Sequence, residues 1–168
     1  NVYKAEIMED SKDTVDIMKE MKAGEIGGEI HCFSYGTSVA KEFLDMGFYF
    51  GIGGVVTFKN AKKLHEVVAY LPLTSILLET DCPYLAPVPE RGKRNSPLNI
   101  PLIAREVAAI KGITYEEVMD VTSSNATPPK IALGLLRPRF TACFSQPTPA
   151  PTPTARVVIL ASPCLIPN

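Results

Sequence analysis

The stretch Ile76-Leu77-Leu78-Glu79-Thr80-Asp81-Cys82-Pro83-Tyr84-Leu85 is an apolar run that ends on two carboxylates and a proline. The aliphatic run predicts a strand that is buried on both faces, and Pro83 cannot continue a ladder of strand hydrogen bonds. We therefore expect Asp81 to lie at the carboxyl end of this strand. Because ligands of parallel α/β sheets bind at the carboxyl ends of the strands, this end is a candidate active site.

Strands and helices alternate around this stretch. The pattern predicts strands at 2–7, 29–33, 48–53 and 76–81, and helices that begin near Ser11, Thr37, Asn60, Ile100 and Thr114. Short connections between alternating strands and helices imply parallel strands that are joined by right-handed crossovers. The predicted fold class is therefore α/β, and a doubly wound sheet and part of a barrel both fit the pattern.

Composition divides the chain near residue 126. The 168 residues are 46% hydrophobic, which allows one domain with a core. All 18 acidic residues lie at or before Asp120, whereas residues 121–168 contain four basic residues and nine of the 15 prolines. We expect residues 1–126 to fold, and residues 127–168 to form a proline-rich tail that is disordered or results from a frameshift. The apolar segment 156–165 of this tail has no evident partner.

Charge and cysteine spacing argue against several classes of function. Subtracting the tail's four from 17 leaves 13 basic residues against 18 acidic ones in 1–120, a balance of −5 that does not indicate non-specific nucleic-acid binding. The four cysteines show no C-x-x-C spacing, so we expect neither a zinc knuckle nor a redox motif. With no signal peptide and no membrane-spanning apolar run, we expect a cytoplasmic protein without a membrane partner.

His31 lies near the end of a predicted strand, as Asp81 does on its own strand. If both strands belong to one parallel sheet, the two side chains meet at the same edge, where they can share a divalent metal or a water. The alternative is a hydrogen-bonded core histidine and an aspartate that caps a helix. Spacing alone leaves both interpretations open.

Glu79 and Asp81 are two residues apart, so they lie on the same face of the predicted strand. Two carboxylates on a buried face need a metal, an arginine or hydrogen-bond donors, which favours a functional role. Cys32 and Cys82 have the opposite parity to His31 and Asp81. We therefore expect both thiols to pack in the core rather than to bind metal.

A basic cluster, Arg91-Gly92-Lys93-Arg94, lies in the long proline-broken loop that follows this strand. It is on the side of the sheet where a substrate would arrive. Its three cations can hold phosphates, and arginine is suited to bidentate contacts with them. A solvated loop without a ligand is the alternative.

Four motifs follow one another along the chain. They are Ile30-His31-Cys32-Phe33-Ser34, Gly47-Phe48-Tyr49-Phe50-Gly51-Ile52-Gly53-Gly54, Glu79-Thr80-Asp81-Cys82-Pro83-Tyr84-Leu85-Ala86-Pro87 and Arg91-Gly92-Lys93-Arg94-Asn95. In order and spacing they resemble the second half of the TatD family of metal-dependent deoxyribonucleases. The resemblance runs from about residue 10 to residue 126.

The resemblance implies a (β/α)₈ barrel with one or two divalent metals (Mg²⁺, Mn²⁺ or Zn²⁺) at the carboxyl ends of its strands. His31 corresponds to the metal ligand on the sixth strand. Asp81 corresponds to the acid on the eighth strand, which binds metal and takes a proton from the attacking water. Glu79 is expected to support these two ligands. The resemblance also implies DNA or another phosphoester as the substrate, and the residues expected on the substrate side are Arg91, Arg94 and Asn95.

The chain also departs from the family pattern. It supplies about the last four β/α units of a barrel that needs roughly 250 residues. In the family, a His-x-His pair on the first strand, a Glu on the fourth strand and a His on the fifth strand are further metal ligands. The His-x-His pair and the fourth-strand Glu are absent from this chain, and Glu6 stands where the fifth-strand histidine is expected. We therefore expect a partial TIM-like barrel that is inactive or nearly so on its own. The alternative is a non-catalytic fragment that binds phosphates or nucleic acid through the loop 91–94, or that forms oligomers through exposed sheet edges.

Overall fold

The computed structural model describes residues 11–126 and 158–161 and shows a four-stranded sheet whose pairings are all parallel. The strands are β1 (Gly28–His31), β2 (Tyr49–Ile52), β3 (Ile76–Leu78) and β4 (Val158–Ala161). Their order in the sheet is β3-β2-β1-β4. The parallel sheet with its alternating helices confirms the predicted α/β fold class.

Within the described residues, five α-helices form one layer, because each contacts the next along the chain. They are α1 (Ser11–Glu20), α2 (Thr37–Asp45), α3 (Lys62–Tyr70), α4 (Ile100–Lys111) and α5 (Tyr115–Ala126). None of these helices has the length and apolar character that a membrane crossing requires.

The helix layer covers one face of the sheet. Ile30, Phe50 and Ile76, from three neighbouring strands, are each at most 2% exposed and share one apolar core with the helices. Burial of such side chains is the main term that stabilises the domain. Glu29 and His31 flank Ile30 on β1 and therefore point to the opposite face, where both are only partly buried. Alternation along the strand thus places polar groups on the face that lies away from the helices.

Local sequence signals set the helix boundaries. Gly112 follows α4 in the left-handed region with a φ of 68°, and ends the helix as its position predicts. Thr114 precedes α5, and its Oγ1 accepts a hydrogen bond from the N–H of Glu117 at 3.2 Å. This bond is the threonine half of a capping box.

The structure differs from two predictions. β3 ends at Leu78, short of Asp81, because the chain enters a turn at Asp81, whose φ of 51° does not fit an extended strand. In the tail, the segment Val158–Ala161 pairs in parallel with β1, whereas this apolar segment was expected to have no partner. A free edge of β1 offers unpaired N–H and C=O groups, and an apolar segment can satisfy them. The predicted strand at 2–7, which includes Glu6, and the rest of the tail lie outside the described residues.

Candidate metal centre

The ends of β1 and β3 bring polar side chains together across β2. His31 is the last residue of β1, and Glu79 follows β3, where its N–H donates to the carbonyl of Ile52 at 3.2 Å. Gly51 lies between them on β2. A Cβ at this glycine would lie 2.7 Å from Oε1 of Glu29 and would overlap the carboxylate of Glu79. The absence of a side chain at Gly51 therefore creates the space in which the polar groups meet.

The imidazole of His31 lies between two carboxylates. Its Nε2 is 2.8 Å from Oδ1 of Asp81, and its Nδ1 contacts Oε2 of Glu79. The hydrogen bonds to Asp81 and to Glu79 outweigh the effect of partial burial and raise the pKa of His31 to about 10. Because its side chain is 33% exposed on the polar face of the sheet, His31 is not a core histidine.

Glu79 holds both the imidazole and the end of β1. Its Oε1 accepts a hydrogen bond from the N–H of Cys32 at 2.6 Å, while Oε2 faces His31. A carboxylate in this position fixes the orientation of a histidine ring and raises the basicity of its other nitrogen. Glu79 thus leaves Nε2 of His31 directed at Asp81.

A turn, rather than the strand itself, directs Asp81 towards the site. Its backbone is left-handed with a φ of 51°, which is unusual for a residue other than glycine, and its carbonyl accepts a hydrogen bond from the N–H of Tyr84 at 2.9 Å. Oδ2 of Asp81 is buried and has no hydrogen-bond partner among the described residues. Gly53 makes room for this oxygen, since a Cβ there would lie only 2.9 Å away. An unpartnered buried carboxylate oxygen is costly unless a cation or a donor satisfies it.

Glu29 joins this cluster, although it was not predicted from the sequence. It lies two residues before His31 on β1 and therefore shares its face of the sheet. Burial raises the pKa of Glu29 to about 7, and the negative charge of Glu79 adds to the effect. The two-residue spacing that singled out Glu79 applies equally to Glu29 and His31, so the signal was present in the sequence.

The ligand atoms of these side chains fit a divalent cation. Ligand atoms of Glu29, His31 and Glu79 lie within 4.8 Å of one another, and Asp81 faces the second nitrogen of the imidazole. Three carboxylates around one imidazole carry excess negative charge, which a bound cation would neutralise. Imidazole nitrogen and carboxylate oxygen are ligands that Zn²⁺ accepts, and carboxylate suits Mg²⁺ and Mn²⁺.

Asn95 lies inside the structure and does not face a substrate. Its side chain is 2% exposed, and Nδ2 donates to the carbonyls of Thr80 at 2.5 Å and Tyr84 at 2.7 Å. Its Oδ1 accepts a hydrogen bond from Nδ2 of Asn99 at 2.7 Å. The expectation that Asn95 contacts substrate is therefore corrected, because its polar atoms already have partners. Asn95 instead ties the basic loop to the turn that contains Asp81.

Arg91 and Arg94 are exposed on this loop, as a substrate-binding role requires. The guanidinium of Arg91 lies 3.9 Å from the centroid of the Phe58 ring. Lys93 pairs with Glu90 at 2.7 Å, whereas neither arginine forms an ion pair within the part of the chain that the structure describes. Their interaction with a substrate stays a prediction.

The two cysteines near the site differ in their surroundings. Cys32 is buried, but ligand atoms of Cys32, Glu79 and Asp81 lie within 4.8 Å of one another, so its role in packing rather than metal binding stays a prediction. Cys82 is exposed, and the prediction that it packs in the core is wrong. Strand alternation ends with β3, so it cannot be extended to Cys82. The left-handed turn at Asp81 carries the next residue to the surface.

Sequence comparisons identify relatives of this chain. A family model described as TatD related DNase matches residues 7–128. The uncharacterized metal-dependent hydrolase YabD of Bacillus subtilis is 47% identical over 116 residues, which cover 69% of this chain and 46% of that protein. The uncharacterized metal-dependent hydrolase YcfH of Escherichia coli K12 is 45% identical over 113 residues, which cover 67% of this chain and 43% of that protein.

Solved structures of the same family have a similar fold. YjjV, a TatD homologue from Escherichia coli K12, matches with a TM-score of 0.63 at 27% identity over 69% of this chain and 44% of its own. A TatD family hydrolase from Entamoeba histolytica matches in fold with a TM-score of 0.62 at 23% identity, over 72% of this chain and 48% of its own. The chain thus spans less than half the length of these relatives. A family match over residues 7–128, together with identities of 45% and 47%, shows that this chain belongs to the TatD-related DNase family.

Proposed function

We propose that this chain is part of a metal-dependent hydrolase that cleaves phosphodiester bonds in DNA, with the metal held by His31 and Asp81. The observation that carries the proposal is the geometry of the aspartate. Its Oδ1 lies 2.8 Å from Nε2 of His31, and its buried Oδ2 has no partner among the described residues. The family description as a DNase and the relatives' names as metal-dependent hydrolases support it.

The residues of the site have distinct roles in this proposal. A divalent cation at His31 and Asp81 would supply Lewis-acid chemistry at the phosphate and would lower the pKa of the attacking water. Oδ2 of Asp81 accepts a proton from that water. Glu79 holds the ring of His31 in place through Nδ1. Arg91 and Arg94 hold phosphates on the approach side.

In this proposal the sheet is part of a TIM-like (β/α)₈ barrel. Support comes from the parallel strands β1 to β3, the helix layer on one face and the polar groups on the other. Because the chain covers only 46% of YabD and 43% of YcfH, we expect further metal ligands to lie outside this chain. We expect the isolated chain to bind metal but to show little or no turnover.

Calorimetric titration of the chain with Mn²⁺ tests the metal site. His31→Ala and Asp81→Asn should each weaken Mn²⁺ binding by about tenfold or more, since each removes a ligand. His65→Ala and Asp45→Asn are matched controls outside the cluster and should bind Mn²⁺ like the parent chain. If all four variants bind Mn²⁺ equally, the proposed site is wrong.

Cleavage of single-stranded DNA in the presence of Mn²⁺ tests the reaction. We expect the parent chain to cleave no faster than Asp81→Asn. Turnover that Asp81→Asn abolishes would contradict the expected inactivity while supporting the proposed catalytic role. Turnover that survives this substitution would contradict that role.

A non-catalytic role in binding phosphates is the second candidate function. The exposure of Arg91 and Arg94, which form no ion pair with a described residue, favours it. A binding fragment would retain a salt-dependent affinity for DNA without Mn²⁺ and in Asp81→Asn, and Arg94→Gln would lower that affinity. A catalytic fragment would require Mn²⁺ and Asp81.

A further inference from the structure

The described sheet is half of the ring that a closed parallel barrel requires. An eight-stranded barrel divides one full turn among eight strands, so the four strands β3-β2-β1-β4 cover half of that turn. All pairings of this sheet are parallel, and the helix layer covers one face of it, as on the outside of such a barrel. Two sheets of this kind are therefore enough to close a ring.

The sheet ends on two different strands, β3 and β4. The N–H of Glu79 donates to the carbonyl of Ile52 on β2, and successive peptide groups of a strand point to opposite sides. The N–H and C=O of Leu78 therefore point away from β2. The carbonyl of Ile76 points to the same outer edge, where it accepts a hydrogen bond from Nδ2 of Asn125 at 2.8 Å. Leu78 thus presents the groups with which a further strand can pair.

The helix layer ends on an exposed apolar surface of α1. This helix lies at one end of the layer, next to α2, whereas α5 lies at the other end and contacts β3. Val15 and Met18 of α1 are buried in the core, but Ile17 is 47% exposed and Met21, one turn later, is 66% exposed. Two large apolar side chains at this position are where the next helix of a closed ring would pack.

We propose that two copies of this chain associate into a closed eight-stranded parallel barrel, in which β3 of each copy pairs with β4 of the other. The two edges belong to different strands, so the contact is head to tail, and a half-turn about the barrel axis repeats it and closes the ring. The same rotation keeps all strands parallel and brings α5 of one copy to the exposed face of α1 of the other.

The inference rests on the barrel of the proposed function and names the chain that completes it. Because the carboxyl ends of all strands lie at one mouth of the ring, the second copy brings its own His31 and Asp81 to that mouth. The partner is thus a second copy of this chain, and its metal centre faces the first across the barrel.

Size-exclusion chromatography with light scattering, performed on the whole chain, tests the assembly. We expect a mass of twice the 18.3 kDa of one chain, and no further growth as the protein concentration rises, because a closed ring has no free edge. A monomer at every concentration would overturn the inference. A mass that keeps growing with concentration, as in an open chain of copies, would overturn it as well.

Leu78→Pro should convert the dimer into monomers without breaking the sheet of each copy. Proline removes the N–H at the outer edge, which faces away from β2, and its ring obstructs a partner strand. Leu78→Ala is the matched control, because it shortens the same partly buried side chain but keeps the N–H, and it should remain dimeric. Circular dichroism shows whether each variant is folded, and a folded Leu78→Pro that stays dimeric would contradict the proposed pairing.

Ile17→Glu tests the contact between helices independently of the strands. A carboxylate buried against α5 of the partner should raise the dissociation constant of the dimer by about tenfold or more. Tyr70→Glu is the matched control, because Tyr70 is also 47% exposed but lies on α3, inside the layer. Equal dissociation constants in the two variants would overturn the inference. Failure of the proposed function is distinguishable, because it appears as an unchanged Mn²⁺ affinity in Asp81→Asn, whatever the mass.

Discussion

Nε2 of His31 lies 2.8 Å from Oδ1 of Asp81, and this contact spans from the end of β1 to the turn after β3, across β2. Glu79 holds the opposite nitrogen of the same ring, and Glu29 adds a third carboxylate on the same face. The cluster is negatively charged even when the imidazole is protonated. Its protonation and its affinity for cations are therefore the properties that experiments can read most directly.

The stability of the metal-free chain should fall as the pH rises from about 6.5 to about 10. The pKa of His31 is about 10 in the folded chain, against 6.5 as its ordinary value. The stabilisation that the bound proton on His31 gives to the folded state is complete below the ordinary pKa. It is lost as the pH rises through the pKa of the folded chain. Because the side chain of His31 is 33% exposed, solvent screening reduces the expected loss in the free energy of unfolding to about 2 kcal/mol.

Urea denaturation in the presence of a chelator measures this dependence on pH. His31→Gln should remove most of it, because glutamine does not titrate. His65→Gln is the matched control and should keep the slope of the parent chain. An equally steep fall in His31→Gln would show that another group is responsible.

Glu29→Gln should stabilise the metal-free chain at neutral and alkaline pH. The pKa of Glu29 is raised from 4.5 to about 7, so the folded state retains a proton that the unfolded state releases. Stability from this group is complete below 4.5 and is lost as the pH rises through about 7. A neutral glutamine avoids that loss. After a reduction for solvent screening, we expect the free energy of unfolding to rise by about 1 kcal/mol near pH 8.

The exposed Glu25 provides a control for this substitution. Glu25→Gln changes the same net charge without entering the cluster, so it should leave the free energy of unfolding close to that of the parent. A gain in both variants would point to overall charge rather than to the environment of Glu29.

The proximity of His31 and Asp81 could be predicted from the sequence because it follows from topology. An apolar run that ends at Pro83 indicates where a strand stops, and parallel strands place their carboxyl ends at one edge. Glu29 could have been found by the same alternation. Its environment depends on the space left by Gly51, which a pattern of residue types does not reveal.

The turn after β3 could not be predicted in the same way. Alternation holds only while the backbone is extended, and Asp81 has a φ of 51°. The burial of Asn95 also depends on contacts across a long loop, which a local pattern does not encode. The charge of the basic loop predicts its place on the surface. Charge alone does not show that Asn95, at the end of this loop, is buried while Arg91 and Arg94 are exposed.

Gly51→Ala should weaken metal binding more than it destabilises the fold. The new Cβ would overlap the carboxylate of Glu79 and would lie 2.7 Å from Oε1 of Glu29, so both side chains must move. Displacing Glu79 releases Nδ1 of His31, and loss of such a supporting carboxylate typically lowers metal affinity by about 10–100-fold. Gly36→Ala is the control, because its Cβ would meet nothing within 4 Å and its φ of −88° suits alanine. Mn²⁺ titration should separate the two variants, and equal affinities would contradict the role given to Gly51.

Asn95→Asp should disturb the metal site through the turn that contains Asp81. The substitution keeps the shape of the side chain but removes the two N–H groups that bond the carbonyls of Thr80 and Tyr84. Leaving these two carbonyls without their donor, next to a new buried carboxylate, should cost about 2–3 kcal/mol in the free energy of unfolding. We also expect Mn²⁺ affinity to fall, because the left-handed turn at Asp81 loses the two hydrogen bonds that hold it in place.

Asn125 allows the effect on stability to be separated from the effect on metal. Its Nδ2 donates to the carbonyls of Leu73 and Ile76 at 2.9 and 2.8 Å, which is the same kind of double tie at the opposite end of β3. Asn125→Asp should therefore lower stability by a similar amount while the folded chain keeps its Mn²⁺ affinity. If both variants lose Mn²⁺ affinity equally, general loosening of the fold explains the result. A loss confined to Asn95→Asp establishes that this buried amide positions Asp81.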